Sequence, residues 1–301
     1  MIWHHSFPGK SSIRSDTELE RRHFLNDSYS YLDRLHQSNY DLLCEVDRIC
    51  KAHDINYFLH GGTFLGAVRH QDFIPWDDDV DIAMKREDYD RFMEIYPKEA
   101  DPRFKLLKFE DYPQFFDFIS KITDTSVTMA HTAYGHEDFY QRRYNHPSLD
   151  LFVFDHVGPD HKKNLTKLQM IYALAMGHRP MVDYTKFKGV RLIGAHVLSG
   201  IGRCIPFHTI ASWYKKAQIS ENAGNENSAA LFLSNEQQHP HYWGLEYDAA
   251  YYKGGITMKI RDRQFPVPDG YDRWLTDVYG DYMKLPPEDQ RRPQHVSELI
   301  D

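Results

Sequence analysis

The residues best suited to chemistry lie between Leu59 and Met84, where the chain reads LHGGTFLGAVRHQDFIPWDDDVDIAM. Asp79 and Asp81 alternate with Val80 and Ile82. On a strand this alternation puts the two carboxylates on one face, about 7 Å apart, and the apolar partners in the core. Paired carboxylates of this kind can share a hard cation. Magnesium is the expected ion, because it takes one or two carboxylates together with substrate phosphate oxygens; manganese is the alternative. Just upstream, Ile55 to Leu59 reads as a short buried strand that runs into Gly61 and Gly62. Two glycines allow a sharp turn and a close approach of ligand to backbone. Thr63 is then expected to cap a short helix reaching about His70, whose first amides form an anion site of the kind that holds phosphate. Taken singly, a glycine pair is usually only a turn, and DDDVD is usually a solvated acidic loop or a calcium site. An EF-hand loop counted from Asp77 would need glycine at Ile82 and glutamate at Asp88, so calcium of that type is excluded.

These residues need a scaffold, and the flanking sequence supplies one. From about Ser28 to Ala52, Leu32, Leu35, Leu42, Leu43, Val46, Ile49 and Cys50 recur near helical spacing, which predicts a long helix with Cys50 in the core. After the aspartate strand, Glu87 and Asp88 suit the positive end of a new helix. Tyr89, Phe92, Met93 and Tyr96 follow at i, i+3, i+4 and i+7, and Pro97 is expected to stop it. Phe104 to Phe109 and Phe115 to Thr123 read as short strands or turns. In SLDLFVFD, Asp150 interrupts an apolar strand; as a bare buried charge it would be costly, so it is expected to face a metal or a polar cleft. Asp155 is read as the strand's end, capping a turn before Gly158 and Pro159. From Asp160 to about Glu221 strongly apolar helical segments predict a lobe over the sheet, followed by a loop at residues 224–228. The apolar segments would also suit a membrane surface, but basic residues look too sparse there, so core packing is the expectation. Near the end, Asp269 is expected to cap a helix carrying Tyr271, Trp274, Leu275 and Val278 on one face, with Gly280 ending it. The charged PPEDQRRPQH then closes over the sheet edge or the cleft.

Composition narrows the function classes. The 301 residues are 41% hydrophobic, enough for one large core or two modest ones. A net charge of −8 with no basic arm argues against nucleic acid as a partner. An anionic substrate must therefore be held by local devices. The three cysteines show no CxxC spacing, which suggests reduced thiols in the cytosol. The 18 histidines form no HExxH pattern, so zinc is not expected. Neither a signal peptide nor a window of about 18 apolar residues that could span a bilayer is found.

The order strand, glycine pair, helix, Asp-x-Asp strand resembles the nucleotidyltransferase fold. More narrowly, GTFLGAVRHQDFIPWDDDVDIAMKREDYDRF resembles the hallmark of the LicD family, which moves phosphocholine, or in related eukaryotic members a phospho-alditol, from a CDP-linked donor to a glycan. CKAHDINYFLHGG fits the family's entry strand and FPVPDGYDRWLTDVYGDYMKLPPEDQRRPQH its C-terminal motif, so the resemblance runs from about Leu42 to His295. The first forty residues and much of the middle carry no recognisable motif.

The resemblance implies an α+β fold: a nucleotidyltransferase-like mixed sheet flanked by helices, with a mainly helical additional lobe. It implies a single domain over residues 1–301, with a catalytic core at 1–158, a helical lobe at 159–225 and a C-terminal segment at 226–301. By the same resemblance Asp79, Asp81 and Asp150 are the metal ligands and catalytic residues. Gly61, Gly62 and Thr63 give amides and a hydroxyl to the donor's phosphates and Arg69 adds a charge-assisted contact; Lys121 in KITDT matches a lysine that recurs at this point in the family pattern and is assigned to the donor phosphate, the alternative being a surface lysine at a strand end. The expected partners are CDP-choline or another CDP-alcohol and a glycan or lipid-linked glycan acceptor. The expected location is cytoplasmic, peripheral contact with the inner membrane face included. Trp76 beside the aspartates is the candidate aromatic face for a choline headgroup. Two rivals remain: a nucleotidyltransferase that attaches NMP and releases pyrophosphate, and a non-catalytic carbohydrate- or lipid-binding protein on a retired transferase fold.

Overall fold

The computed structural model describes residues 18–111, 118–131, 146–179, 184, 188–237, 243–293 and 296–300. Helix α1, Glu18–Ala52, carries the predicted apolar stripe, and Leu32, Leu35, Leu42, Leu43, Val46, Ile49 and Cys50 are all buried. It begins ten residues before Ser28 because ELERRHFLND is rich in good helix formers and lacks glycine and proline.

The central sheet is built around two parallel strands, β2 (Val80–Lys85) and β6 (Ser148–His156). Outside β2 lies β1 (Phe58–Leu59); on the far side of β6 come β4 (Ser120–Asp124) and then β3 (Phe104–Leu107), these pairings being antiparallel. Further along β6, β7 (Ala230–Leu233) pairs with Phe154–His156, and β8 (Tyr247–Asp248) adds to β7. The result is a mixed sheet flanked by helices, the α+β class read from the sequence. Leu149, Leu151 and Val153 of β6 alternate with Phe152 and Phe154, and all five are buried. Burial on both faces explains why β6 reads as an almost unbroken apolar run.

Helix α3, Arg86–Glu99, starts directly after β2 with Glu87 and Asp88 in its first turn. Pro97 lies inside α3 and does not stop it. A proline two residues from the end removes only one late hydrogen bond, so the last turn still closes. Arg86, the first residue of α3, corrects the reading of Asp155. That aspartate is no turn cap: it is fully buried within β6 and accepts from Arg86 Nε at 2.8 Å and Nη2 at 2.6 Å. Asn222 Nδ2 donates to it at 2.5 Å and the Ser234 hydroxyl donates as well. Four donated hydrogen bonds satisfy this carboxylate inside the strand.

The helical segments after β6 are α4 (His161–Ala175), α5 (Val190–Gly202) and α6 (Phe207–Gln218). Helices α4 and α6 pack as expected, with Leu165, Leu168, Ile171, Ile210 and Tyr214 in a second core beside Phe118 and Phe232. Helix α5 does not. It turns Ala195, Ser199 and Gly202 inward and leaves its larger apolar residues outside. Among the described residues no helix is long and apolar enough to cross a membrane.

A hairpin of β9 (Thr257–Ile260) and β10 (Arg263–Pro266) leads to α7, Tyr271–Tyr279, which ends at Gly280 with φ +69°. The residue before α7 is Gly270, not Asp269, whose amide is spent on the Tyr251 carbonyl at 2.7 Å. Finally β11 (Val296–Ile300) pairs antiparallel with β5 (Thr128–His131); His295 of the closing segment lies outside the described residues.

Candidate active site

Sheet register brings three of the predicted residues into one row. Asp81 on β2 stands opposite Asp150 on β6, and Asp150 stands opposite Lys121 on β4. Partnered residues share a face, so two carboxylates and an ammonium lie side by side across the sheet. Lys121 Nζ is 2.5 Å from Asp150 Oδ2, an ion pair with both side chains mostly covered. The residues read separately, one for phosphate and one for metal, thus hold each other.

Helix α2, Gly61–Arg69, runs over the row. Its N-cap is His60 in an extended conformation without a side-chain cap, so Thr63 is not the cap. Thr63 sits one turn in, 1% exposed, and its hydroxyl oxygen accepts from the Asp81 amide at 2.9 Å. That bond ties the start of α2 to the middle of the acidic strand. The two glycines make room for carboxylates. Gly61 has φ +53°, and a Cβ there would stand 2.5 Å from Asp81 Oδ2; one on Gly62 would collide with the Asp77 carboxylate. Gly61→Ala is therefore expected to cost about 1–2 kcal/mol through left-handed backbone and crowding, with a fall in Tm. Gly194→Ala in α5, where a Cβ meets open space, is expected to gain about 0.5–1 kcal/mol. Paired thermal scans of the two variants check this.

The acidic loop ahead of β2 is more differentiated than DDDVD suggests. Ligand atoms of Asp77, Asp78 and Asp79 lie within 4.8 Å of one another. Asp78 is buried and accepts from the Val296 amide at 2.7 Å, which fastens β11 to the loop. The Asp77 carbonyl accepts from His36 Nε2 at 2.7 Å, while its carboxylate Oδ2 is buried with no hydrogen-bond partner among the described residues. Burial, and then the charges of Asp79 and Asp78, push the Asp77 carboxyl well above the usual range, with Arg69 pulling the other way. Asp81 is raised likewise, by burial first and then by Asp79, Asp150, Asp77 and Glu236. Carboxylates converging on one spot, with a buried oxygen left over, fit a hard divalent cation.

The remaining predicted contact, Arg69, ends α2 about 12 Å along the axis from Gly61. It donates to the Tyr282 carbonyl at 3.0 Å, and its charge works against the upward push on the Asp77 carboxyl. Sequence reasoning missed Asp77, Glu236 and His60. His60 is buried with Nε2 3.6 Å from Glu236 Oε2, its ring 4.8 Å from that of Phe152. Adjacency to Asp79 was the available signal for Asp77; nothing in the sequence links position 60 to 236.

Residues 54–184 match the family model described as LicD/FKTN/FKRP, nucleotidyltransferase domain. The lipopolysaccharide cholinephosphotransferase LicD of Haemophilus influenzae is 31% identical over 260 residues, covering 83% of this chain and 90% of that protein. The chain belongs to the LicD family. It is accordingly a phosphotransferase. Two further relatives mark the family's breadth: an uncharacterised protein of Rickettsia typhi, 30% identical over 158 residues and 48% of each chain, and the human ribitol 5-phosphate transferase FKRP, 42% identical over 52 residues, 17% of this chain and 10% of that one. All eight site residues read from the sequence fall within the LicD-family match at 54–184, and Glu236 falls beyond it.

Proposed function

We propose that the protein transfers phosphocholine from CDP-choline to a hydroxyl of a cell-surface glycan of the lipopolysaccharide, teichoic acid or capsule type. The observation that carries this reading is the row of Asp81, Asp150 and Lys121 across the sheet, next to the Asp77–Asp79 cluster at the glycine pair that opens α2, in a chain similar over most of its length to a lipopolysaccharide cholinephosphotransferase. Asp79, Asp81 and Asp150 would hold magnesium, with Asp77 a further ligand that the geometry suggests. When bound, the ion supplies charge neutralisation at the donor's phosphates.

The chain's own groups account for the rest. The first amides of α2 receive phosphate oxygens at the positive end of the helix. Lys121 balances charge on Asp150 or on the transferred phosphate. Asp150 takes the proton of the acceptor hydroxyl as that oxygen bonds to the distal phosphorus and the bond to CMP breaks. Trp76 suits the trimethylammonium, since its ring already receives a cation, the Arg291 guanidinium carbon lying 5.7 Å from its centroid. The three free thiols, Cys44, Cys50 and Cys204, agree with a cytoplasmic location. A second reading, transfer of ribitol phosphate or another CDP-linked alcohol, is favoured by the match to the ribitol 5-phosphate transferase.

The test is calorimetric titration with CDP-choline, CDP-ribitol and CDP-glycerol, each with and without magnesium, followed by mass analysis of a glycan acceptor. Magnesium-dependent binding of CDP-choline, with phosphocholine added to the acceptor and CMP released, is the expected result. Preference for CDP-ribitol selects the second reading. CMP retained on the acceptor with the phospho-alcohol released would overturn both.

A further inference from the structure

Helix α5 is packed the opposite way round from an ordinary amphipathic helix. Its small residues face inward: a Cβ on Gly202 would strike the Leu174 backbone of α4, and one on Gly177 would strike the Ser199 carbonyl, so α5 lies almost in backbone contact with its neighbours. Its large apolar residues face solvent, Val190 being 85% exposed, Ile193 65%, Val197 53% and Ile201 50%. At 3.6 residues per turn these four, with Gly194 and Gly200, fill a strip about 120° wide and about 17 Å long. Arg191 and His196, both exposed, border the strip on opposite sides, and exposed Lys188 and Arg203 stand just beyond its two ends. Met170 on α4 adds another exposed apolar side chain, 53% open.

The charge of this region is the reverse of the whole. Residues 161–218 hold ten lysines and arginines against one carboxylate, Asp183, in a chain of net charge −8. The impression that basic residues are sparse there is thereby corrected. A second copy of the chain docked strip to strip would bring two cationic borders together. An acidic lipid surface meets both the apolar strip and its cationic rim.

We propose that α5 is a membrane-surface helix, seating Val190, Ile193, Val197 and Ile201 at the acyl boundary of an anionic bilayer while Lys188, Arg191 and Arg203 meet phosphate headgroups. The inference stands apart from the identity of the donor and acceptor. It is tested by sedimentation of the full chain with phosphatidylglycerol-containing vesicles and with pure phosphatidylcholine vesicles, at low and high salt. Binding to the anionic vesicles that weakens with salt is expected. Lys188→Glu with Arg191→Glu should lower the partition coefficient at least about thirtyfold. Ile193→Asp with Val197→Asp should lower it at least about a hundredfold, with Tm and circular dichroism unchanged because these side chains are exposed. Failure to bind any vesicle, or binding that the strip variants leave intact, would overturn the proposal. So would wild-type dimerisation in the ultracentrifuge that Ile193→Asp with Val197→Asp abolishes, since the strip would then be covered by a second copy.

Discussion

Asp81→Asn is expected to lower kcat by about a thousandfold or more, several kcal/mol of lost charge stabilisation, and at the same time to make the metal-free protein more stable. The two effects share a cause. Burial, then Asp79, Asp150, Asp77 and Glu236, raise the Asp81 carboxyl well above its unfolded range. A carboxyl raised in the folded state binds more protons there than in the unfolded chain, so stability falls as pH climbs from the ordinary carboxylate range through the raised value. At neutral pH the wild type bears that penalty and the asparagine does not. The gain is on the order of 1–3 kcal/mol, or about 2–4 °C in Tm for each kcal/mol. The variant should fold normally, because the Asp81 backbone amide still donates to Thr63. Thermal scans in chelator and in magnesium check the pair of claims. Wild-type Tm should rise with magnesium, by about 2.7 kcal/mol of stabilisation at a hundred times Kd, and the variant's should rise much less. Retained turnover in the variant, or a wild-type Tm indifferent to every divalent cation, would remove the metal from β2.

Asp155→Ala is expected to destabilise the protein by about 3–5 kcal/mol, the consequence of leaving Arg86 buried without its bidentate partner. Arg86 keeps the face of the Tyr89 ring, 5.3 Å to the centroid, and the mostly exposed Asp90 carboxylate at 3.5 Å, neither of which replaces the bidentate partner, while Asn222 and Ser234 lose an acceptor. Because the pair clips α3 to β6 at the strand's far end from Asp150, the variant should lose activity by unfolding, with little change in KM at low temperature. Replacing both partners, Arg86→Met with Asp155→Leu, should recover most of the loss, since no charge is then stranded. Urea denaturation of the three proteins decides the matter: a loss under about 1 kcal/mol, the size typical of a solvated surface pair, would mean that the pair is not desolvated.

The contrast between these two aspartates shows what the sequence could tell. Asp81 was placed by strand alternation, which is local, but β2 begins at Val80, so Asp79 stands just ahead of the strand and the expected common face does not follow from alternation. Asp150 was legible because a lone carboxylate in an apolar strand demands a polar neighbour; that the neighbour is Lys121 depends on the register of β4 against β6, which no short stretch encodes. Asp155 sits in the same apolar run, yet its partners come from positions 86, 222 and 234, and only the fold brings them together. The glycine pair announced a tight place, but not that carboxylates fill it. For α5, periodicity marked an apolar strip without saying which way it faces, because a helix pattern is the same whether the strip is buried or not. Pro97 misled because a breaker's effect depends on how many hydrogen bonds remain beyond it.

Asp78 accepts from the amide of Val296, 218 residues further along the chain. During synthesis the acidic loop is made first, and its closing partner emerges only after the 217 residues between them. A nascent chain therefore carries this acidic cluster unlatched until β11 can add beside β5, and a product terminated ahead of Val296 would keep every aspartate of the cluster yet lack the latch that sets one of them in place.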